Sequence, residues 1–339
     1  MAAKAPLLAI LLGVLLLAAG LRLAGYDAAA ALGALWSGAF GSWYAFSSAT
    51  LVRAIPLTII GLGIALAFRG GALNIGAEGQ FYAGAIAATW VGLHVAGQPA
   101  AVALPAVLAA AVLAGGAWVV VPVWLQLRYG VLEVISTLLL NFVAGSLVSL
   151  VVQGPLQESR HIYPQSDPIA AAARLPIVPG TRLHAGILLA LLVAAGLWYL
   201  FSRTLWGFRL RAVGAGPRAA TISGRIDARR MAAVALLGSG ALAGLAGGVE
   251  VSGVSYALFQ NLSPGYGFTG IAVALLARLQ PLAVLATGLL FGALEAGAGA
   301  MQREAGVPAV AVYVVEAVVI LVVLLADAAT RRNMLRTAT

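Results

Sequence analysis

Residues 50–80 read TLVRAIPLTIIGLGIALAFRGGALNIGAEGQ. From Thr50 to Phe68 the chain is almost unbroken in apolar residues, close to the ~20 that a helix needs to cross ~30 Å of hydrocarbon. Arg69, Gly70 and Gly71 then interrupt it, and the paired glycines permit a sharp reversal because neither carries a Cβ. A second apolar stretch follows at once. Asn74 is placed to cap it by accepting from free N–H groups, and Glu78 falls about one turn in, where a carboxylate complements the helix dipole. Span, reversal and span are the elements of a helical membrane bundle. A capped turn accounts for Asn74 and the glycines without any ligand, but not for Glu78 and Gln80 carrying polarity into an apolar run.

The rest of the chain repeats this pattern. Of 339 residues, 62% are hydrophobic and 9% charged, against roughly 25% charged in a soluble domain, so this chain cannot build a water-facing surface. Its long apolar runs, rather than the alternating apolar and polar residues of a membrane barrel, make the expected fold all-α, a polytopic transmembrane bundle. Ten spans are expected, near 5–24, 50–68, 75–96, 100–126, 131–152, 185–201, 231–252, 264–278, 281–300 and 308–328. The first, following Lys4, is read as a span and not as a cleaved leader, because many later runs are equally strong. The eighth is short, contains glycine and meets Arg278 and Pro281 at once, so a broken or re-entrant segment is expected there. The 41 glycines include Gly61, Gly63, Gly115, Gly116, Gly244, Gly247 and Gly248 within spans, where small residues let helices approach closely.

With ten spans and a cytoplasmic N-terminus, 14 of the 20 lysines and arginines face the cytoplasm and both termini are inside. The net charge of +9 is thus a topology signal and not a nucleic-acid footprint. The connection 202–230 carries seven arginines against one acid, Asp227, and is expected to be cytoplasmic. The outer connection 153–184 is rich in proline and mixed in charge, and is expected to be an ordered loop or cap over a single permease domain. Asp27 to Ser48, with Trp36, Trp43 and Tyr44, is expected to lie at the outer interface.

Some chemistry is excluded. Without cysteine there are no disulfides, thiol nucleophiles or zinc-thiolate sites. Lys4 is the only lysine, so the phosphate-binding Gly-Lys-[Ser/Thr] loop of a nucleotide hydrolase cannot form, and any ATP-driven motor must be a separate chain. His94, His161 and His184 are scattered and have no clustered carboxylates, so neither a metal site, a cofactor nor an enzymatic centre is assigned. Glu78, Glu133, Glu250, Glu295 and Glu316 fall within or at the ends of apolar runs, where a carboxylate costs ~2.5–3.5 kcal/mol unless it meets a partner, a cavity or an interface. Neighbouring polar groups near span ends account for Glu133 and Glu316, whereas Glu78 and Glu250, beside glycines, are the stronger functional candidates. Together with Phe81 and Trp90, the residues Asn74, Glu78, Gln80, Tyr82, Asn141, Phe142, Glu250, Tyr256 and Gln260 supply the amides, carboxylates and rings that a small polar solute requires along its pathway.

The segment GGALNIGAEGQ resembles the signature of the permeases of branched-chain amino acid, ribose and nucleoside ABC importers, and its Asn-Ile-Gly-x-Glu-Gly-Gln version looks most like the nucleoside and simple-sugar branch. RAVGAGPRAATISGRI, residues 211–226, is similar to that family's cytoplasmic loop, with Arg211, Gly214, Pro217, Ala219, Ala220, Gly224 and Ile226 as the matching positions; Gly-Arg-Ile stands at 224–226 where Gly-Ile is usual. GYGFTGIAVALLARLQPLAVLATGLLFGAL, Gly265 to Leu294, resembles the segment after the seventh span. The resemblance implies a permease subunit in the bacterial cell membrane that imports nucleosides or simple sugars. The partners it implies are ABC ATPase subunits docking on a short helix within 209–230, an external solute-binding protein, and a second permease, identical or related. The rival reading is a secondary transporter driven by protons, with Glu78 or Glu250 as the titrating group.

Overall fold

In the computed structural model, which describes residues 15, 17–222, 226–308, 310, 314 and 317, regular structure is helical throughout, and among those residues the only β pairings are two isolated bridges. The helices are α1 (Ala28–Phe40), α2 (Trp43–Arg69), α3 (Ala77–His94), α4 (Ala100–Trp118), α5 (Val120–Tyr129), α6 (Glu133–Val152), α7 (Gly186–Arg203), α8 (Leu205–Ala215), α9 (Pro217–Ile222), α10 (Ala228–Glu250), α11 (Tyr266–Leu276) and α12 (Pro281–Ala305). Among the described residues, six stretches are long and apolar enough to cross a bilayer: α2, α4 with α5, α6, α7, α10 with its extension to Ser255, and α12. Of the ten expected spans, 308–328 lies almost wholly outside the described residues, as do residues 5–14 of the first. The span 75–96 is present as α3, but Glu78, Gln80 and His94 lower its hydropathy below the other six. The eighth is shorter than expected. With eleven residues α11 rises about 16 Å, half of the ~30 Å a span requires.

The chain divides into two units. In residues 1–53 with 289–339, Asp27 caps α1 by accepting from the Ala29 and Ala30 N–H groups at 2.9 and 3.1 Å. Leu21, Ala28, Ala31, Ala34, Met301 and Val307 form its core, and Gly38 is held against Ala300 so tightly that a Cβ there would overlap the alanine methyl. Trp36, Trp43 and Tyr44 stand exposed.

In residues 54–288 the centre is the packing of α3, α4 and α10. Glycines set the spacing: a Cβ on Gly84 would run into the Gly244 carbonyl, on Gly115 into the Gly240 carbonyl, and on Gly247 into the Phe81 carbonyl. Backbone therefore meets backbone, the arrangement that gives helices dispersion contact where lipid offers no hydrophobic drive. The connection 153–184 is tied across this core. Ala170 N–H donates to the Gly92 carbonyl at 3.0 Å, Ile169 N–H to Tyr256 at 2.8 Å and Leu175 N–H to Ser252 at 2.8 Å, so it joins the C-terminal ends of α3 and α10.

A candidate substrate pathway and coupling surface

The reversal between α2 and α3 forms as the glycines require, with Gly71 at φ +81°. Asn74 differs from expectation. The residue flanking α3 is Gly76, with no side-chain cap, and Asn74 Oδ1 instead accepts from Gly76 N–H at 3.0 Å in a local turn. The rest of the Asn74 amide is committed elsewhere. Its Nδ2 donates to Gln80 Oε1 and to Ser239 Oγ of α10, both at 2.8 Å, while Gln80 Nε2 returns a bond to Asn74 Oδ1 at 2.9 Å. Asn74 and Gln80 are thus paired amide to amide, with no accessible surface to speak of.

Two neighbours complete the joint. Asn141 of α6 accepts from the Gly79 N–H at 2.8 Å and donates to the Ile75 carbonyl at 2.9 Å. Glu78 accepts from the Gly267 N–H of α11 at 2.7 Å and is also reached by the side chains of Ser263 and Tyr82. Ser263 in turn caps α11 by accepting from Gly265 and Tyr266 N–H groups. The reversal and the first turn of α3 are therefore bonded to α6, α10 and α11 together. This explains a carboxylate in the apolar run: Glu78 satisfies the free N–H of a second helix start, where the dipole favours it.

The connection from α10 to α11 doubles back. Tyr256, in the left-handed conformation at φ 57°, bonds the loop that also reaches Gly92, whereas Gly267 lies on Glu78, fourteen residues or about 21 Å back along α3. Glu250, buried, closes α10; Tyr256 lies under the Arg174 guanidinium, 4.7 Å from its ring centre, and Gln260 is half-buried. These three stand apart from the Asn74 cluster. Phe142, by contrast with its neighbour Asn141, is 69% exposed on α6. Glu133 accepts from Gln126 Nε2 at 2.7 Å and, across 60 residues of sequence, from Leu73 N–H at 3.2 Å, so it too holds the α2–α3 reversal. Ser239, Ser263 and Gly267 carried no signal in the sequence: a serine or glycine in an apolar run announces nothing, and its partner is up to 189 residues away.

His184 lies at the start of α7, 1% exposed, its ring wedged between Gly186 and Gly253. Nδ1 accepts from Gly186 N–H at 3.2 Å and Nε2 has no partner among the described residues. Burial pushes its pKa down to about 4. In the same connection, hydrogen bonds from Gln165 and from Ser159 hold the Glu158 and Asp167 carboxyls below their ordinary values.

Between α7 and α10 the arginine-rich connection folds as two short helices, α8 and α9. Thr204 caps α8 by accepting from Gly207 N–H, and Gly214 packs against the Arg69 carbonyl, which fixes α8 on the α2–α3 reversal. Ala220 is buried, whereas Arg211, Gly214, Pro217, Arg218, Ala219 and Ile222 face outward and Ile226 is half-buried; Gly224 lies outside the described residues. Ile222 is 85% exposed beside Arg218, a small apolar and basic surface left uncovered among the described residues.

The sequence comparisons bear on what such a bundle is. A guanosine ABC transporter permease protein of Bacillus subtilis, NupP, is 38% identical over 322 residues, 94% of this chain and 92% of its own length. A glucose ABC transporter permease protein of Haloferax volcanii, TsgB13, is 39% identical, covering 80% of this chain and 74% of its own. A nucleoside ABC transporter permease protein of Lactococcus lactis, NupB, is 32% identical over 93% of this chain and 88% of its own length. A second permease named from each organism, NupQ, TsgC13 and NupC, matches at 28%, 29% and 26%. No solved structure matches. The family model described as branched-chain amino acid transport system / permease component spans residues 46–324, taking in the α3 joint, the α8–α9 surface and the doubled-back α11 alike. A membrane bundle with that sequence over most of its length is a transport component and not an enzyme, and the chain belongs to the branched-chain amino acid transport system / permease component family.

Proposed function

We propose that this chain is one permease of an ABC importer for nucleosides or simple sugars, held in the bacterial plasma membrane by its apolar helices, with α11 a re-entrant segment and not a full span. The observation that carries this reading is the near full-length similarity to guanosine and nucleoside permeases, joined by a glucose permease over 80% of this chain. ATP hydrolysis takes place on separate ATPase subunits docked on α8 and α9. An external solute-binding protein delivers the solute. The α8–α9 surface suits docking because Ala219 and Ile222 offer apolar contact and Arg211 and Arg218 can meet acids. Gly214 on Arg69 gives movement of that surface a direct path to the start of α3.

The second permease is a related, non-identical chain. Bacillus subtilis, Haloferax volcanii and Lactococcus lactis each have two similar permeases, and in each pair this chain is nearer to one, at 38, 39 and 32% against 28, 29 and 26%. Along the pathway, Asn74, Gln80, Asn141, Glu78 and its partner Tyr82 hold the α3 joint in place, while Phe142, Glu250, Tyr256 and Gln260 are left to line the route. Glu78, bonded to Gly267, acts as a fixed acceptor and not as a proton carrier.

The test is uptake in vesicles. Both permeases with the ATPase and the binding protein accumulate labelled nucleoside only when ATP is present inside, and Ile222→Asp abolishes uptake while leaving this chain folded. Accumulation by this chain alone under a proton gradient would overturn the importer reading in favour of the secondary transporter.

A further inference from the structure

A groove of about 1090 Å³ lies over one face of α3, between α4–α5 and α6. Its lining on α3 is Ala83, Ile86, Ala87, Trp90, Val91 and His94, a run at i, i+3, i+4 spacing that is a single helical stripe. Alanines at 83, 87, 110, 114 and 117 make the groove deep, since each leaves unfilled the space a larger side chain would occupy. Along this stripe α3 is less covered than on its other faces: Ala83 is buried, Ile86, Ala87 and Val91 are half-buried, and Trp90 and His94 are exposed.

We infer that the groove is a binding site for an acyl chain of a membrane phospholipid in the leaflet on the His94 side. The length matches. From Ala83 to His94 on α3, and from Leu140 to Val151 on α6, the groove runs eleven residues, about 16 Å. Half of the ~30 Å hydrocarbon core is ~15 Å, the depth of one leaflet. The chemistry matches as well. The walls are almost wholly aliphatic or aromatic, with polar atoms only at the two ends: the Trp118 indole N–H at the inner one and His94 where α3 stops. There Trp90 and His94 stack with centroids 4.7 Å apart, and His94 Nδ1 is 2.7 Å from the Trp90 carbonyl. An indole and an imidazole at that level suit the boundary between acyl chains and headgroups. Trp118, at the break between α4 and α5, marks the inner end.

The site is tested by tryptophan quenching in the full-length chain. The chain is reconstituted in vesicles of phosphatidylglycerol and phosphatidylethanolamine whose acyl chains carry bromine either near the headgroup or near the terminal methyl. Comparison with Trp118→Phe and Trp90→Phe isolates each residue's emission, and Trp124, exposed on α5, serves as the freely lipid-facing control. The expected result is strong quenching of Trp118 by deep bromines and of Trp90 by shallow ones. Ala114→Phe, which fills the groove floor, should remove the Trp118 quenching and leave that of Trp124 unchanged; Ala87→Phe is the second filling variant should the first fail to fold. Trp118 that is not quenched while Trp124 is, or quenching indifferent to both fillings, overturns the site. Quenching of Trp118 that disappears when the second permease is co-reconstituted also overturns it, because the groove would then be the seat of that subunit.

Discussion

Asn74 makes four side-chain hydrogen bonds and Phe142 makes none, although both are obvious candidates in the sequence. Replacing Asn74 by Ala leaves the Gln80 amide, Ser239 and the Gly76 N–H short of partners inside the bundle. Each buried group left unpaired costs ~1–3 kcal/mol, so thermal unfolding in detergent should show N74A strongly destabilised. Phe142→Ala should unfold within about 0.5 kcal/mol of the parent, as surface changes do, so any loss of transport it causes is a loss of function and not of fold. The same logic separates Glu78→Ala, which orphans the Gly267 N–H, from Tyr256→Ala.

His184 gives a pH prediction with a definite sign. Its folded pKa of about 4 lies below the unfolded 6.5, so on acidification the unfolded chain takes up the proton first. Stability is complete above pH 6.5 and is lost as the pH falls toward 4, by ~3 kcal/mol across the window. Glu158 and Asp167, held below their ordinary values, withdraw their contributions only at the acid end of that window and beneath it. Hydrogen exchange of residues 153–184 between pH 7 and 4.5 reads the effect. His184→Gln, which cannot titrate, should flatten it, and an unchanged slope would remove His184 as its source.

At the scale of elements, the α3–α4–α10 packing depends on residues that lack a side chain. Gly244→Leu would push its Cβ into the Ala111 carbonyl and its branches into α4, and separating two packed helices should cost ~3 kcal/mol or more, seen as lost folding yield and a lowered unfolding temperature. Gly145→Ala on α6, where a Cβ meets nothing within 4 Å, is the matched control and should be neutral. The helices themselves were legible, because an apolar run of twenty residues has one stable form in lipid. α11 was legible only as an anomaly: its shortness and Arg278 were visible, but its bond to Glu78 was not. The cap predicted for Asn74 failed for a related reason. A local pattern ranks local acceptors, and it cannot see Ser239 offering a partner from another helix.

For the whole molecule, the unequal similarity to paired permeases leads to a stoichiometric expectation. Purified from membranes with an affinity tag on this chain alone, the transporter should contain this chain and a related permease in a one-to-one ratio, with the ATPase attached. A complex with two copies of this chain and no second permease would refute that pairing.

The amino-acid sequence by itself determined that this is a helical membrane protein without a nucleotide-hydrolysing loop, and that 202–230 is its basic connection. These follow from composition and spacing, which need no partner to be read. Only the tertiary structure decided what the Asn74-to-Gln80 stretch does. Its amides and carboxylate join α3 to α6, α10 and α11, and each such bond exists only once segments 60 to 190 residues apart have been folded together. The groove beside α3 is of the same kind, since alanines spaced along three helices make a lipid-sized hollow only when those helices are packed side by side.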